Sequence, residues 1–166
     1  MVSPACLKGM DYWLGGLQWD VVTINFGLHD CEPGGDSAGY AKNLETILSK
    51  SRAAAGATIF VTTTPFWKYK EYNLPCVVEY NKVARQVIAS LNSNGGKMER
   101  IQAANVNGNN PNKTIGVADL YAHVESYCGV NYTTCTYVCC MSCTSGFYGS
   151  CALLLCFGSL FLFRGV

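Results

Sequence analysis

Between Trp19 and Tyr127 the chain alternates two hydrophobic patterns. The first is a short apolar, β-branched run. Trp19–Asp30, WDVVTINFGLHD, carries Val21, Val22, Ile24 and Phe26 and stops at Gly27. Val21 and Val22 side by side predict a strand buried on both faces, as in a parallel sheet. The second pattern has helical period. Tyr40, Leu44, Ile47 and Leu48 fall at i, i+4, i+7 and i+8, so Ser37–Ala55 predicts a helix with one apolar face, stopped by Gly56. Ala57–Thr63, ATIFVTT, predicts the next strand, and Pro65 turns the chain out of it by holding Thr64 away from helical angles. Leu74–Leu91 predicts a second helix with Val77, Tyr80, Val83, Ala84, Val87, Ile88 and Leu91 on one side. Pro75 suits its first turn, and Asn92–Gly96 predicts its end. After a loop over Lys97–Asn112, Thr114–Ala118 predicts a third strand and Leu120–Tyr127 a third helix. Ahead of all this, Met10–Leu14 predicts a helical turn stopped by Gly15-Gly16.

The order strand, helix, strand, helix, strand, helix predicts an α/β fold with a parallel sheet, right-handed crossovers and helices on both faces. Such strands place their C-terminal ends on one edge, where ligands bind in open α/β sheets. That edge gathers Gly27-Leu28-His29-Asp30, Thr62–Pro65 and Asp119–Tyr121. Thr63 and Thr64 would line its crevice, although threonines at a strand end need no functional reason. The loop CEPGGDSAG contains Gly35-Asp36-Ser37. Asp36 or Ser37 at that place reads as the N-cap of the following helix.

Composition narrows the picture. A chain of 166 residues is enough for one domain with a sizeable core. A net charge of +1 without a basic stripe gives nucleic-acid binding no electrostatic support. Seven of the ten cysteines lie from Cys128 onward, and no charged residue occurs between Glu125 and Arg164. The chain therefore divides into an α/β portion, 1–136, and a cysteine-rich, apolar tail, 137–166. Phe147–Phe163 is uncharged and mostly apolar but sits at the lower edge of a membrane-spanning length, and its glycines and serines weaken that reading. The N-terminal MVSPACLKGMDYWLGG shows no apolar h-region, so no signal peptide is expected in it. A natural start upstream of Met1 would reconcile that with a secreted parent.

Several patterns carry little chemistry. Cys140-Met141-Ser142-Cys143 is a C-x-x-C without the second pair or the histidines that a zinc site needs. No metal and no cofactor is expected. Cys128 and Cys135 are close enough for a disulfide in an oxidising compartment, whereas Cys6, Cys31 and Cys76 are scattered. Asn112-Lys113-Thr114 and Asn131-Tyr132-Thr133 match the glycosylation sequon, which matters only in a secreted chain. His123 reads as a surface residue near Glu125.

The run WDVVTINFGLHD resembles the third sequence block of the SGNH (GDSL-type) hydrolases, which usually reads Gly-x-Asn-Asp and in some members Gly-Leu-His-Asp. The resemblance continues through Tyr40–Leu48, Ala57–Pro65, Tyr80–Ile88 and Ile115–Val124, and so covers roughly Asp11 to Cys135. It implies a three-layer α/β/α sandwich, flavodoxin-like, and acyl-ester hydrolysis through a covalent acyl-serine. The implied substrates are lipid, carbohydrate or small-molecule esters. It also implies that His29, at the position of the block's Asn, donates a hydrogen bond to an oxyanion, as a neutral imidazole can. Gly27 then allows close backbone approach, and Asp30 accepts loop N–H bonds.

The match is partial. The family's nucleophile block follows an early strand, and no such strand is found here; Gly35-Asp36-Ser37 follows a loop instead. The second block's glycine is absent as well. The family's C-terminal Asp-x-x-His would fall near Cys139–Gly146, CCMSCTSG. There Ser142 cannot serve as a base, and Cys139 alone does not orient one. The expectation is an incomplete ester-hydrolase domain without catalytic Ser or Asp-x-x-His. Two alternatives stand beside it. One is a non-catalytic flavodoxin-like binding module using the same crevice. The other is an interaction protein attached to a membrane through Phe147–Phe163.

Overall fold

The computed structural model describes residues 4–28, 30, 31, 35–65, 70–102, 113–129 and 159–164. Helix α1 (Pro4–Leu14) is longer than the turn expected over Met10–Leu14. Met10 and Leu14, one turn apart, are both buried. Gly15 and Gly16 take left-handed φ values of 63° and 65°, and the Gly15 N–H donates to Asp11 O at 3.1 Å. A left-handed pair costs glycine little, so the helix stops there. The Trp19 indole N–H then donates to Leu14 O at 3.1 Å and sets the entry to β1 (Trp19–Asn25).

Helix α2 (Ser37–Ala54) starts on the expected cap. The Gly39 N–H donates to Asp36 Oδ1 at 2.8 Å, satisfying one of the first-turn donors that a helix leaves open. Its predicted face, Tyr40, Leu44, Ile47 and Leu48, is fully buried. Gly56 does not end the helix. Strand β2 (Ala55–Val61) begins directly after Ala54, and Gly56 lies within it. A Cβ at Gly56 would come within 2.8 Å of Asp20 O, so the residue is small because the β1 backbone passes close by.

Helix α3 (Lys70–Gln102) starts earlier and runs further than the sequence pattern predicts. Pro75 therefore lies inside the helix and not in its first turn. Val77 and Tyr80 bury that segment in the core, and tertiary contact overrides the local penalty of the proline. Asn92 does not stop the helix either. Its side chain is turned to β3 (Ile115–Ala118), donating to Ile115 O at 3.1 Å and accepting from Ile115 N–H at 2.9 Å. Helix α4 (Leu120–Cys128) follows, capped by Asp119.

The sheet order is β3-β2-β1-β4, with β4 being Ser159–Phe163. β1 and β2 are parallel, with Val22 opposite Thr58 and Ile24 opposite Phe60; β2 and β3 are parallel, with Thr58 opposite Ile115. The molecule is thus a mixed α/β structure around one mostly parallel sheet. A strand order that advances in one direction places successive right-handed crossovers on the same face. Accordingly α2 packs on α3 and α1 on α2. Their apolar residues form one core with Val22, Ile24, Phe60 and Ile115. For these three helices the expected division over both faces of the sheet is corrected by that geometry. Val22 is fully buried, whereas Val21 on the opposite face is only partly so.

Strand β4 runs antiparallel to β1, with Leu162 opposite Val22 and Leu160 opposite Ile24. It comes from the stretch set apart by composition as a tail, yet Leu162 packs against the main core. Among the described residues no helix is long and apolar enough to cross a membrane, and the last five residues of Phe147–Phe163 are strand. Residues 130–158, including Cys135, Asn131 and the C-x-x-C, lie outside the described residues.

Candidate functional site

The parallel pairing puts the C-terminal ends of β1, β2 and β3 on one edge, and hydrogen bonds join them. The Thr63 hydroxyl donates to Phe26 O at 3.1 Å, linking the exits of β2 and β1. The Thr62 N–H donates to Ala118 O at 3.0 Å, and the Thr62 hydroxyl donates to Asp119 Oδ1 at 2.9 Å, linking β2 to β3. The expectation that these loops are neighbours is met.

Gly27 turns the chain at the end of β1. It is buried, with φ of 132°, where an L side chain is strained. A Cβ there would lie 3.3 Å from the Tyr40 hydroxyl and 3.5 Å from Thr63 Oγ1. The backbone must therefore pass between α2 and the β2 exit. Asp30, only 6% exposed, sits behind this turn, and its backbone O accepts the Tyr80 hydroxyl at 3.2 Å. Cys31 closes the turn, donating its N–H to Leu28 O at 3.2 Å, and is disulfide-bonded to Cys76 of α3. His29 lies outside the described residues. Thr64 is partly buried, while Thr63 is 2% exposed with its hydroxyl already committed to Phe26 O.

Two tyrosines floor the site. Tyr40 from α2 and Tyr80 from α3 stack with ring centroids 4.4 Å apart. The Tyr40 hydroxyl donates to Phe26 O at 3.0 Å, so this carbonyl accepts two hydroxyls. Burial, and then the nearby Asp30 charge, push the Tyr40 phenol far above its usual range; the same two causes, followed by Asp36, raise Tyr80. Both phenols stay protonated at neutral pH and act as donors. Beside them Asn81, 6% exposed, makes a reciprocal pair with one residue of the β2 exit. It accepts the Thr63 N–H at 2.9 Å and donates to Thr63 O at 2.8 Å. Asn81 repeats, three helical turns earlier on the same face of α3, what Asn92 does at the start of β3.

At the β3 end, Asp119 accepts from Ala122 N–H, Thr62 Oγ1 and Arg85 Nη2, the last at 2.6 Å. Burial works to raise its carboxyl, but these three donors and the guanidinium charge prevail and lower it. Asp119 therefore ties β3, α4 and α3 together as an anion. His123 is exposed and meets Tyr127 edge-on, in keeping with a surface place.

Tyr40, Tyr80, Asn81 and the Cys31–Cys76 bridge were not singled out from the sequence. The tyrosines read as members of apolar helix faces, and the cysteines as scattered. Only the tertiary contacts show that Tyr40 holds Phe26, Tyr80 and the bridge hold Asp30 and Cys31, and Asn81 holds Thr63. Among the described residues no group of three or more His, Cys, Asp or Glu is placed to hold a metal ion. The chain matches no protein-family model, no curated protein and no solved structure.

Proposed function

We propose that the Gly27–Asp30 edge is the oxyanion side of an SGNH-type ester-hydrolase domain, and that this chain binds an ester or its acid product there without turning it over. The observation that carries the reading is the turn at Gly27. A buried glycine with φ of 132° turns the chain at the shared C-terminal edge of three parallel strands. Such an edge is where α/β folds place ligands. The resemblance of WDVVTINFGLHD to the family's third block assigns His29 the donor role. On this reading the domain is a three-layer α/β/α sandwich, of which the described residues supply the sheet and the α1–α3 layer. A serine nucleophile, its base and the orienting Asp are not found in the sequence, so acyl transfer has no attacking group.

The test has two arms. The purified chain should not hydrolyse short p-nitrophenyl esters above background and should not be labelled by a serine-directed fluorophosphonate. Titration with butyrate, followed by backbone NMR, should shift Gly27, Leu28 and Asp30, and His29→Ala should weaken that response several-fold. Stoichiometric labelling of Ser37 would show an active centre assigned wrongly. Shifts confined to another part of the chain would end the reading.

A further inference from the structure

Strand β4 joins the sheet differently from the other three. β1, β2 and β3 are parallel and joined through α2 and α3, and their inward residues Val22, Ile24, Phe60 and Ile115 share one core with the helices. β4 is antiparallel and lies along the outer edge of β1, in register from Val21 opposite Phe163 to Asn25 opposite Ser159. Among the described residues β1 is its one neighbour in the sheet. Leu162 is partly buried and packs at the margin of the core, while Phe163 is 54% exposed. The backbone ladder runs the full length of the strand. An extended peptide that adds a strand to a sheet edge is bound in this way: main-chain hydrogen bonds supply affinity, and alternate side chains supply selectivity. Asp20 O lies against Gly56 of β2, so alternation along β1 turns the peptide groups of Val21, Thr23 and Asn25 the other way, toward β4. Without β4 those groups would form an open edge.

We infer that the outer edge of β1 is a strand-acceptor site, that Ser159–Phe163 is its tethered occupant, and that a second copy of this chain supplies the same strand in trans. Identity favours the second copy over other partners. Its Ser159–Phe163 repeats the register on β1, puts the same leucine opposite Val22 and needs no contact beyond those already present. Chain length permits it. Residues 130–158 separate Gly129 from β4 and span at most about 95 Å when extended, enough to reach a neighbouring protomer. A strand tethered to its own chain competes at an effective concentration on the order of mM. The strand in cis therefore dominates in dilute solution, and exchange grows as the protein nears that concentration or as the strand in cis is weakened. The inference is independent of the oxyanion reading, since it concerns the side of β1 and not its C-terminal exit.

Amide hydrogen exchange on the full chain tests it. Leu162→Asp brings a charge to the core margin and unseats the strand without shortening the chain. In the isotope-labelled variant, Val21 and Thr23 should exchange at least tenfold faster than in the parent, while Leu44 and Leu48 keep their protection. The peptide SLFLFRGV, residues 159–166, added at about 1 mM should slow Val21 and Thr23 again at least fivefold, and so should unlabelled parent chain at about 1 mM. The same peptide with aspartate in place of its second leucine should not. Leu162→Ala repeats the comparison where the aspartate variant loses its core protection. Unchanged exchange at Val21 and Thr23 in both variants would overturn the proposal. So would loss of Leu44 and Leu48 protection in both, since β4 would then be an integral strand and not a separable occupant. Amides that stay fast with peptide and parent chain alike would remove the acceptor site. Recovery with the peptide but not with the parent chain would overturn the second copy as the occupant.

Discussion

Asn81→Ala is the sharpest perturbation the structure offers. The Asn81 amide is the partner of both Thr63 N–H and Thr63 O, at 2.9 and 2.8 Å, and Thr63 is 2% exposed. Truncation leaves one buried donor and one buried acceptor without partners. Each such group costs about 1–3 kcal/mol, and water entering the small space left by the amide would offset part of that. The expected loss is about 2–5 kcal/mol, a large share of the stability of a single domain. With a urea slope near 2 kcal/mol/M for a chain of this size, the midpoint should fall by about 1–2.5 M. The measurement is urea unfolding followed by circular dichroism, without reductant so that the disulfides stay intact. Asn81→Leu fills the same space but makes neither bond, and it should lose nearly as much. A midpoint for Asn81→Ala within about 0.25 M of the parent would refute the pairing argument. A destabilised Asn81→Ala beside a fully stable Asn81→Leu would show that packing, and not hydrogen bonding, is what Asn81 supplies.

Gly27→Ala should lower stability by about 1–3 kcal/mol, because alanine must hold a φ of 132° and bring its Cβ within 3.3 Å of the Tyr40 hydroxyl; thermal melts read this directly. Tyr40 and Tyr80 have folded-state pKa values raised above the ordinary 10.0, so their contribution is complete below pH 10 and is lost as pH rises through the folded values. The urea midpoint should therefore fall at alkaline pH, with ionisation at 295 nm delayed until unfolding, and Tyr40→Phe should shrink that fall. Asp119 has a lowered value, so its contribution is present above its ordinary 3.8 and is lost as pH falls through the folded value. Asp119→Asn should flatten the acid limb of the stability profile while costing at most about 1 kcal/mol through the exposed Arg85 pair. Deleting 159–166 should lower the melting temperature and promote aggregation, since it strips the paired edge from β1 and the partial burial of Leu162; an unchanged melt would show β4 to be dispensable.

The candidate edge was half legible. The apolar run ending at Gly27 and the ATIFVTT run announced two strand exits, and parallel topology alone made them neighbours. What fills the space between them was not visible. Tyr40 and Tyr80 sat at the right helical spacing for core residues, and nothing in the spacing says that their hydroxyls turn to Phe26 O and Asp30 O. Asn92 read as a helix stop because asparagine usually competes with the helical backbone. Here its amide instead serves Ile115, and the helix continues.

The amino-acid sequence by itself determined the features that depend on close neighbours along the chain. These are the buried face of α2, the Asp36 cap, the Gly15-Gly16 stop and the alternation that makes β1, β2 and β3 parallel. Each is set by a period or by a contact within one turn of helix, so the pattern carries the answer. Only the tertiary structure decided the features whose partners are distant. Thr63 and Asn81 are 18 residues apart, Asn92 and Ile115 are 23, and Cys31 and Cys76 are 45. Gly56 is small because of Asp20 O on another strand, and β4 finds β1 across most of the chain. Such contacts form because the core brings the segments together, and burial then makes an unpaired amide or carbonyl too costly to leave.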